Sequence, residues 1–303
     1  MVFQKSTMLY INKSTLKFED KRVKPSQLNT STAEPLVQFV KDDPSEWGKK
    51  NRPSEELSAA LKAPTSSDAK AKAVFEHCSG LMHNLMNEPV TETLIEDTSQ
   101  PIIELAECII ADEEVSGSLL RITSHDYYTY THCVNVGVKS LLIAKHILKT
   151  SDDNLMKDLG VGFFLHDIGK SKVDPGILNK PGKLSDEEFT IMRNHPERGA
   201  QLLKRANSLD EIRKITVLQH HEKIDGSGYP YGLKGKEFHQ FGQICALADI
   251  YDALTAERSY KQGMTVFEAL KLMKDKMSHH FDEKLFNSFI QLFIKESVQG
   301  GIS

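Results

Sequence analysis

The stretch Leu155-Met156-Lys157-Asp158-Leu159-Gly160-Val161-Gly162-Phe163-Phe164-Leu165-His166-Asp167-Ile168-Gly169-Lys170 decides how this chain is read. Its apolar run over residues 155–165 predicts a buried helix, and that helix ends in an imidazole and a carboxylate side by side. Burying a lone carboxylate is expensive, so a buried Asp next to a buried His needs a partner. A divalent metal is one such partner, because carboxylates and neutral imidazoles are both good ligands. A plain His–Asp hydrogen bond at a helix end is the other, and it is what an isolated pair of this kind indicates.

Outward from this stretch the pattern stays helical. Residues 132–148 are apolar on nearly all sides and predict a core helix, with His132 on a buried stripe with Val136, Ile143 and Ile147. Further helices are predicted over 185–194, 196–206, 209–219, 244–255, 266–277 and 283–295. Ser185 with Glu188, and Thr265 with Glu268, have the spacing of capping boxes. Upstream, Val74, Cys78, Leu81, Met82 and Leu85 recur at helical spacing, as do Ile102, Leu105, Ala106, Ile109 and Ile110. From residue 66 to residue 303 the expectation is an all-α bundle.

The first 65 residues differ. They hold Lys-Pro, Glu-Pro, Asp-Pro and Arg-Pro breaks, the only tryptophan (Trp47), and 11 basic against 8 acidic side chains. Short β-like and apolar runs at 7–12 and 36–40 predict a small mixed α/β domain, regulatory or docking in role, and Ala63-Pro64-Thr65-Ser66-Ser67 reads as a linker.

The whole chain has 303 residues and a net charge of −4, which argues against coating polymeric nucleic acid or an anionic membrane surface. No stretch approaches the roughly 20 apolar residues of a spanning helix, and the polar start MVFQKSTMLY lacks a signal-peptide core, so a cytoplasmic protein is expected. Cys78, Cys108, Cys133 and Cys245 are far apart without CxxC spacing, which indicates neither a disulfide framework nor a thiolate zinc site.

The candidate ligands are therefore nitrogen and oxygen. His220 and His221 follow an apolar run, and adjacent helical side chains diverge by about 100°, which suits two neighbouring metals. Asp249 lies inside an apolar helix with Asp252 three residues later on the same face, and His195 ends a helix at Asn194-His195-Pro196. Singly, His132 reads equally as a satisfied core histidine, His195 as a C-capping residue and Asp252 as a solvated turn residue. Together with His166 and Asp167 they point to a metal centre.

The order of these motifs resembles the HD-GYP branch of the HD phosphohydrolases. The resemblance rests on His132, HDIGK at 166–170, NKPGKLSDEE at 179–188, NHPERGAQLL at 194–203, HHEKIDGSGYPYGLKG at 220–235 and ADIYDALTAERSYK at 248–261, and it covers roughly residues 70–295. It implies a cyclic di-GMP phosphodiesterase, yielding pGpG and then GMP, with metal ligands at His132, His166, Asp167, His195, His220, His221 and Asp249. It also implies divalent iron or manganese, with zinc as a third candidate. Tyr128 stands where some members carry a Glu that binds a third metal, so two metals are expected. Two such metals can activate a water and clamp a phosphoryl oxygen, with Asp167 as bridging carboxylate.

Around them, Lys170 is expected to act on the phosphoryl charge or the leaving oxygen, Arg258 and Lys261 to contact phosphate, and Asp252 to face substrate. Asp126 is a candidate proton donor or supporting residue. Gly226, Gly228 and Pro230 predict a tight loop, on which Tyr229 either stacks on a base or offers a docking surface, as for a diguanylate cyclase. The chain departs from the family at Ser171-Lys172-Val173-Asp174-Pro175, at Phe238-His239 where Ile-Pro is usual, and at Gln243 where Arg is common. These departures bear on substrate affinity and turnover. The rival expectations are a receptor that binds the dinucleotide without cleaving it and a hydrolase for another cyclic dinucleotide, such as 3′,3′-cyclic GMP-AMP.

Overall fold

The structure is a computed structural model, and it describes residues 54–122, 129–180, 182–256 and 263–300, the last six of these and the first three by backbone alone. The runs at 7–12 and 36–40, Trp47, Asp126, Tyr128, Arg258 and Lys261 lie outside the described residues.

In chain order the helices are α1 (Ser54–Lys62), α2 (Ser67–Asn87), α3 (Glu92–Ala111), α4 (Glu113–Ile122), α5 (Thr129–Leu148), α6 (Asp153–Phe164), α7 (Pro175–Leu178), α8 (Asp186–Arg193), α9 (His195–Arg205), α10 (Glu211–Gln219), α11 (Gln240–Thr255), α12 (Val266–Met277) and α13 (Glu283–Gly300). A 3₁₀ turn over Ile168–Lys172 follows α6. No strand occurs among the described residues, only an isolated antiparallel bridge between Asp225 and Lys234.

The middle of the bundle is α5, buried from Tyr130 to Ala144 and packed against α2, α6 and α11. This is the helix whose sequence is apolar on nearly all sides. Gly137 lets it approach α6, because a Cβ there would lie 2.1 Å from the Phe164 ring. Both capping boxes form, Ser185 with Glu188 and Thr265 with Glu268, so the starts of α8 and α12 are fixed by local chemistry. Ser66, Thr91, Asp152 and Asp210 likewise cap α2, α3, α6 and α10.

One feature at the start of the bundle differs from the sequence expectation. The last part of the 1–65 segment is helix α1, and its Leu57 is buried in the same core as α2 and α5, so this helix belongs to the bundle. The non-helical break falls after it, over the residues read as a linker.

Candidate metal centre

Residues from five places in the fold converge on one point inside the bundle. His132 comes from the first turn of α5, and His166 and Asp167 from the end of α6. His195 comes from the α8–α9 joint, His220 and His221 from the end of α10, and Asp249 from the middle of α11. All but His221 are almost wholly buried, and the His221 side chain keeps 8% of its exposure.

Helix ends explain why these histidines point inward. The last carbonyls of a helix have no partner within it. His166 Nδ1–H donates to the Phe163 carbonyl at 2.8 Å, His195 Nδ1–H to Met192 at 2.8 Å, and His220 Nδ1–H to Val217 at 2.9 Å. A carbonyl can only accept, so Nδ1 carries the proton in each ring and Nε2 is left as a lone-pair donor. His195 thus does what a C-capping residue does and offers a ligand as well. His132 is oriented by a side chain. Its Nδ1 lies 2.8 Å from Asp252 Oδ2, while Nε2 faces Asp249 Oδ1 at 3.1 Å and Asp167 Oδ2 at 3.5 Å.

Asp167 stands between the two sides. Its Oδ2 lies toward His132 and His166 (3.5 and 3.4 Å), and its Oδ1 toward His195 and His220 (3.1 and 3.5 Å). Asp249 spans the same gap, with Oδ1 on His132 and Oδ2 3.5 Å from His221 Nδ1. Two ligand sets result, both containing Asp167: one with His132 and His166, the other with His195, His220 and His221. His220 and His221 do not diverge as adjacent helical residues would. α10 ends at Gln219, and their rings stand 4.1 Å apart in one set.

These donors fit divalent metal. His166 Nε2, Asp167 Oδ1, His221 Nε2 and both Asp249 oxygens are buried without a hydrogen-bond partner, a costly state unless a cation serves them. His195 Nε2 and His220 Nε2 lie 3.0 Å apart with both Nδ1 protons already spent on carbonyls, so two lone pairs face each other. Burial pushes His195 down to about 4 and also lowers His166 and His221, keeping these rings neutral at pH 7. Burial alone would raise Asp167, but the Lys170 ammonium and His166 outweigh it and hold it well below the usual carboxylate range. Asp249 is treated alike by burial and His132, and stays ionised.

The supporting residues differ in part from expectation. Asp252 is buried, and both its oxygens are engaged. Its Oδ2 engages His132 and its Oδ1 accepts from Lys139 Nζ at 2.8 Å, both within the core. Lys170 is 2% exposed and donates to Asp167 Oδ2, so its charge is spent on that carboxylate. Tyr229 is 9% exposed: its ring stacks on His221 at 4.7 Å, with the Arg193 guanidinium 4.8 Å above it. The loop around it does turn tightly, with Gly226 at φ +80°.

The departures from the family pattern are absorbed by structure. Phe238 is buried in the core, His239 caps α11 by accepting from the Phe241 N–H, and Gln243 ties the Phe238 carbonyl to the Asp282 N–H. Asp174 and Pro175 start α7, and Val173 packs with Leu184 and Met192.

Three contributors were not singled out from sequence. Lys139 is a lysine inside an otherwise apolar helix, a signal of a buried ion pair. Glu222 is buried and accepts from the N–H groups of Tyr231, Gly232 and Leu233, which shapes the DGSGYP loop. Arg193 carried no signal beyond its charge.

A family model described as HD domain matches residues 89–285. A cyclic di-GMP phosphodiesterase of Pseudomonas aeruginosa is 34% identical over 225 residues, 74% of this chain and 52% of that protein. A 3′3′-cGAMP-specific phosphodiesterase of Vibrio cholerae is 41% identical over 128 residues, 42% of this chain and 24% of that protein. The chain thus spans about half the length of the first relative and less of the second. In fold, an HDG"Y"P protein from Bdellovibrio bacteriovorus aligns with TM-score 0.64 over 79% of this chain and 77% of that one, at 19% identity. No helix among the described residues is long and apolar enough to cross a membrane. The chain belongs to the HD domain family, and at residues 220–230 it carries the motif from which the HD-GYP branch takes its name.

Proposed function

We propose that this chain hydrolyses cyclic di-GMP at a dinuclear metal centre, opening a 3′–5′ phosphodiester to give linear pGpG and, after a second cut, GMP. The observation that carries the reading is the placement of Asp167, one carboxylate whose two oxygens face two separate histidine sets. His132 and His166 would hold one metal, His195, His220 and His221 the other, with Asp167 shared and Asp249 reaching toward both. A nitrogen and oxygen donor set without sulfur, together with the family resemblance, favours iron or manganese, with zinc third. Bound there, such metals supply a nucleophile at neutral pH and Lewis acidity toward a phosphoryl oxygen.

The chain's own residues prepare that chemistry. Lys170 keeps Asp167 ionised and fixed, and Asp252 with Lys139 fixes the His132 ring. Arg258 and Lys261, just beyond α11, are the proposed phosphate contacts, and Asp126, just before α5, the proposed proton donor. A protein partner at the loop, such as a diguanylate cyclase, would meet Tyr231, which is 55% exposed, and not Tyr229.

The test is metal content by elemental analysis together with chromatography of cyclic di-GMP and 3′,3′-cyclic GMP-AMP digests, with Asp167→Ala as control. Two metals per chain and pGpG that the control abolishes support the reading. Tight dinucleotide binding without product would make the chain a receptor. Cleavage of the mixed dinucleotide alone would move the substrate, as the Vibrio relative's name suggests.

A further inference from the structure

Away from the centre, the base of the DGSGYP loop meets the turn between α12 and α13. The Ile224 N–H donates to the His280 carbonyl at 2.9 Å, and the Gly235 N–H donates to Ile224 at 2.9 Å, so both arms of the loop are anchored there. At this junction Asp225, His279 and His280 each bring one ligand atom, all within 4.8 Å of one another. The rings of His279 and His280 stand 4.2 Å apart. His280 is nine-tenths buried, and its Nδ1 has no hydrogen-bond partner. Asp225 uses Oδ1 to accept the Ser227 N–H, which fixes the carboxylate at the mouth of the cluster.

We propose that Asp225, His279 and His280 form a second, peripheral site for a zinc-type transition metal, which clips the DGSGYP loop to the α12–α13 turn. Two imidazoles and one carboxylate are a common zinc donor set, with water left to complete the coordination. Burial, with Lys223 and His279 nearby, lowers His280 to about 4, so this ring is a neutral donor at pH 7. Hydrogen bonding to Ser227 and the Lys223 charge outweigh burial and keep Asp225 ionised. Lys223 also opposes a bound cation, so the site is expected to be weaker than the central one. None of its three residues belongs to the central ligand sets.

The test is zinc binding to the metal-stripped full chain, counted at fixed free zinc by equilibrium dialysis and elemental analysis. His279 and Asp225 are both exposed, so His279→Ala and Asp225→Asn leave the core intact. The wild type should hold one zinc more than either variant, with affinity at that site weakened by about tenfold or more on substitution. Asp167→Asn should keep the peripheral zinc while losing central metal, which separates failure of this site from failure of the dinuclear reading. As a second measurement, zinc should slow amide hydrogen exchange over residues 224–235 in the wild type and not in His279→Ala. Equal zinc content and equal exchange in wild type and His279→Ala would overturn the site.

Discussion

The histidines of the centre are held by two different means, and the division does not follow the two ligand sets. His166, His195 and His220 are oriented by carbonyls at the ends of helices α6, α8 and α10, so the backbone itself sets their rings. His132, in the first turn of α5, is oriented by Asp252, which is in turn held by Lys139. A backbone-held ring cannot be released by changing a neighbouring side chain, only by moving the helix end. A carboxylate-held ring can be released by a single substitution, and it carries the cost of burying an ion pair.

The strongest break removes what both sides share. Asp167→Ala should abolish bound metal on both sides and lower phosphodiesterase turnover by about 10⁴-fold or more, as expected when a member of a unit that acts together is lost. Elemental analysis of the variant separates this from a merely kinetic effect: loss of one metal with retention of the other would show that the two sets do not share this carboxylate.

A backbone-held ring, His195, should yield next, to a change that adds one carbon. Gly169 lies in the 3₁₀ turn after Asp167, and a Cβ there would sit 1.9 Å from the His195 carbonyl oxygen and 2.6 Å from the Gly199 nitrogen. Gly169→Ala must push α9 away from the HDIGK turn and with it His195. Displacements on the ångström scale cost about 10²-fold in turnover, and metal on the His195 side should be lost before metal on the His132 side. Equal loss from both sides would mean that the joint moves as one body.

The site that contains the carboxylate-held ring should respond by about 10–100-fold in metal affinity to Asp252→Asn, which leaves His132 in place with a weaker orienting partner. Lys139→Met should instead cost about 3–5 kcal/mol of stability by leaving the buried Asp252 charge without its cation, and adding Asp252→Asn should recover part of that loss. Thermal melts of the two single variants and the double variant complete the cycle.

The sequence carried the helices well where apolar periodicity and capping agree. Residues 266–277 match α12 at both ends, and the two capping boxes form as read. The candidate ligands are brought together because each lies at a helix end or on an apolar helix, which short-range pattern reports. What pattern could not report was tertiary direction. Asp252 reads as a turn residue or substrate contact until α5 is seen beside α11, with Lys139 occupying its second oxygen. Tyr229 reads as an exposed loop aromatic until His221 and Arg193 are found on its two faces. The divergence expected of His220 and His221 assumed a helix that continues past Gln219, and α10 stops there.

His221 belongs to neither class, and this sets the smallest prediction. No carbonyl holds it, Asp249 is 3.5 Å from its Nδ1, and its ring stacks on Tyr229 at 4.7 Å. The position of Tyr229 depends on a loop whose backbone N–H groups converge on the Glu222 carboxylate, directly after His221 in the chain. Glu222→Gln keeps the shape but removes the charge and one acceptor, so it should cost about 1–3 kcal/mol of stability. If stacking alone orients His221, metal affinity on that side should fall together with the melting temperature. If Asp249 suffices, the protein should melt earlier with its metal content unchanged. The second outcome is expected, because Asp249 is anchored within α11 and does not move with the loop.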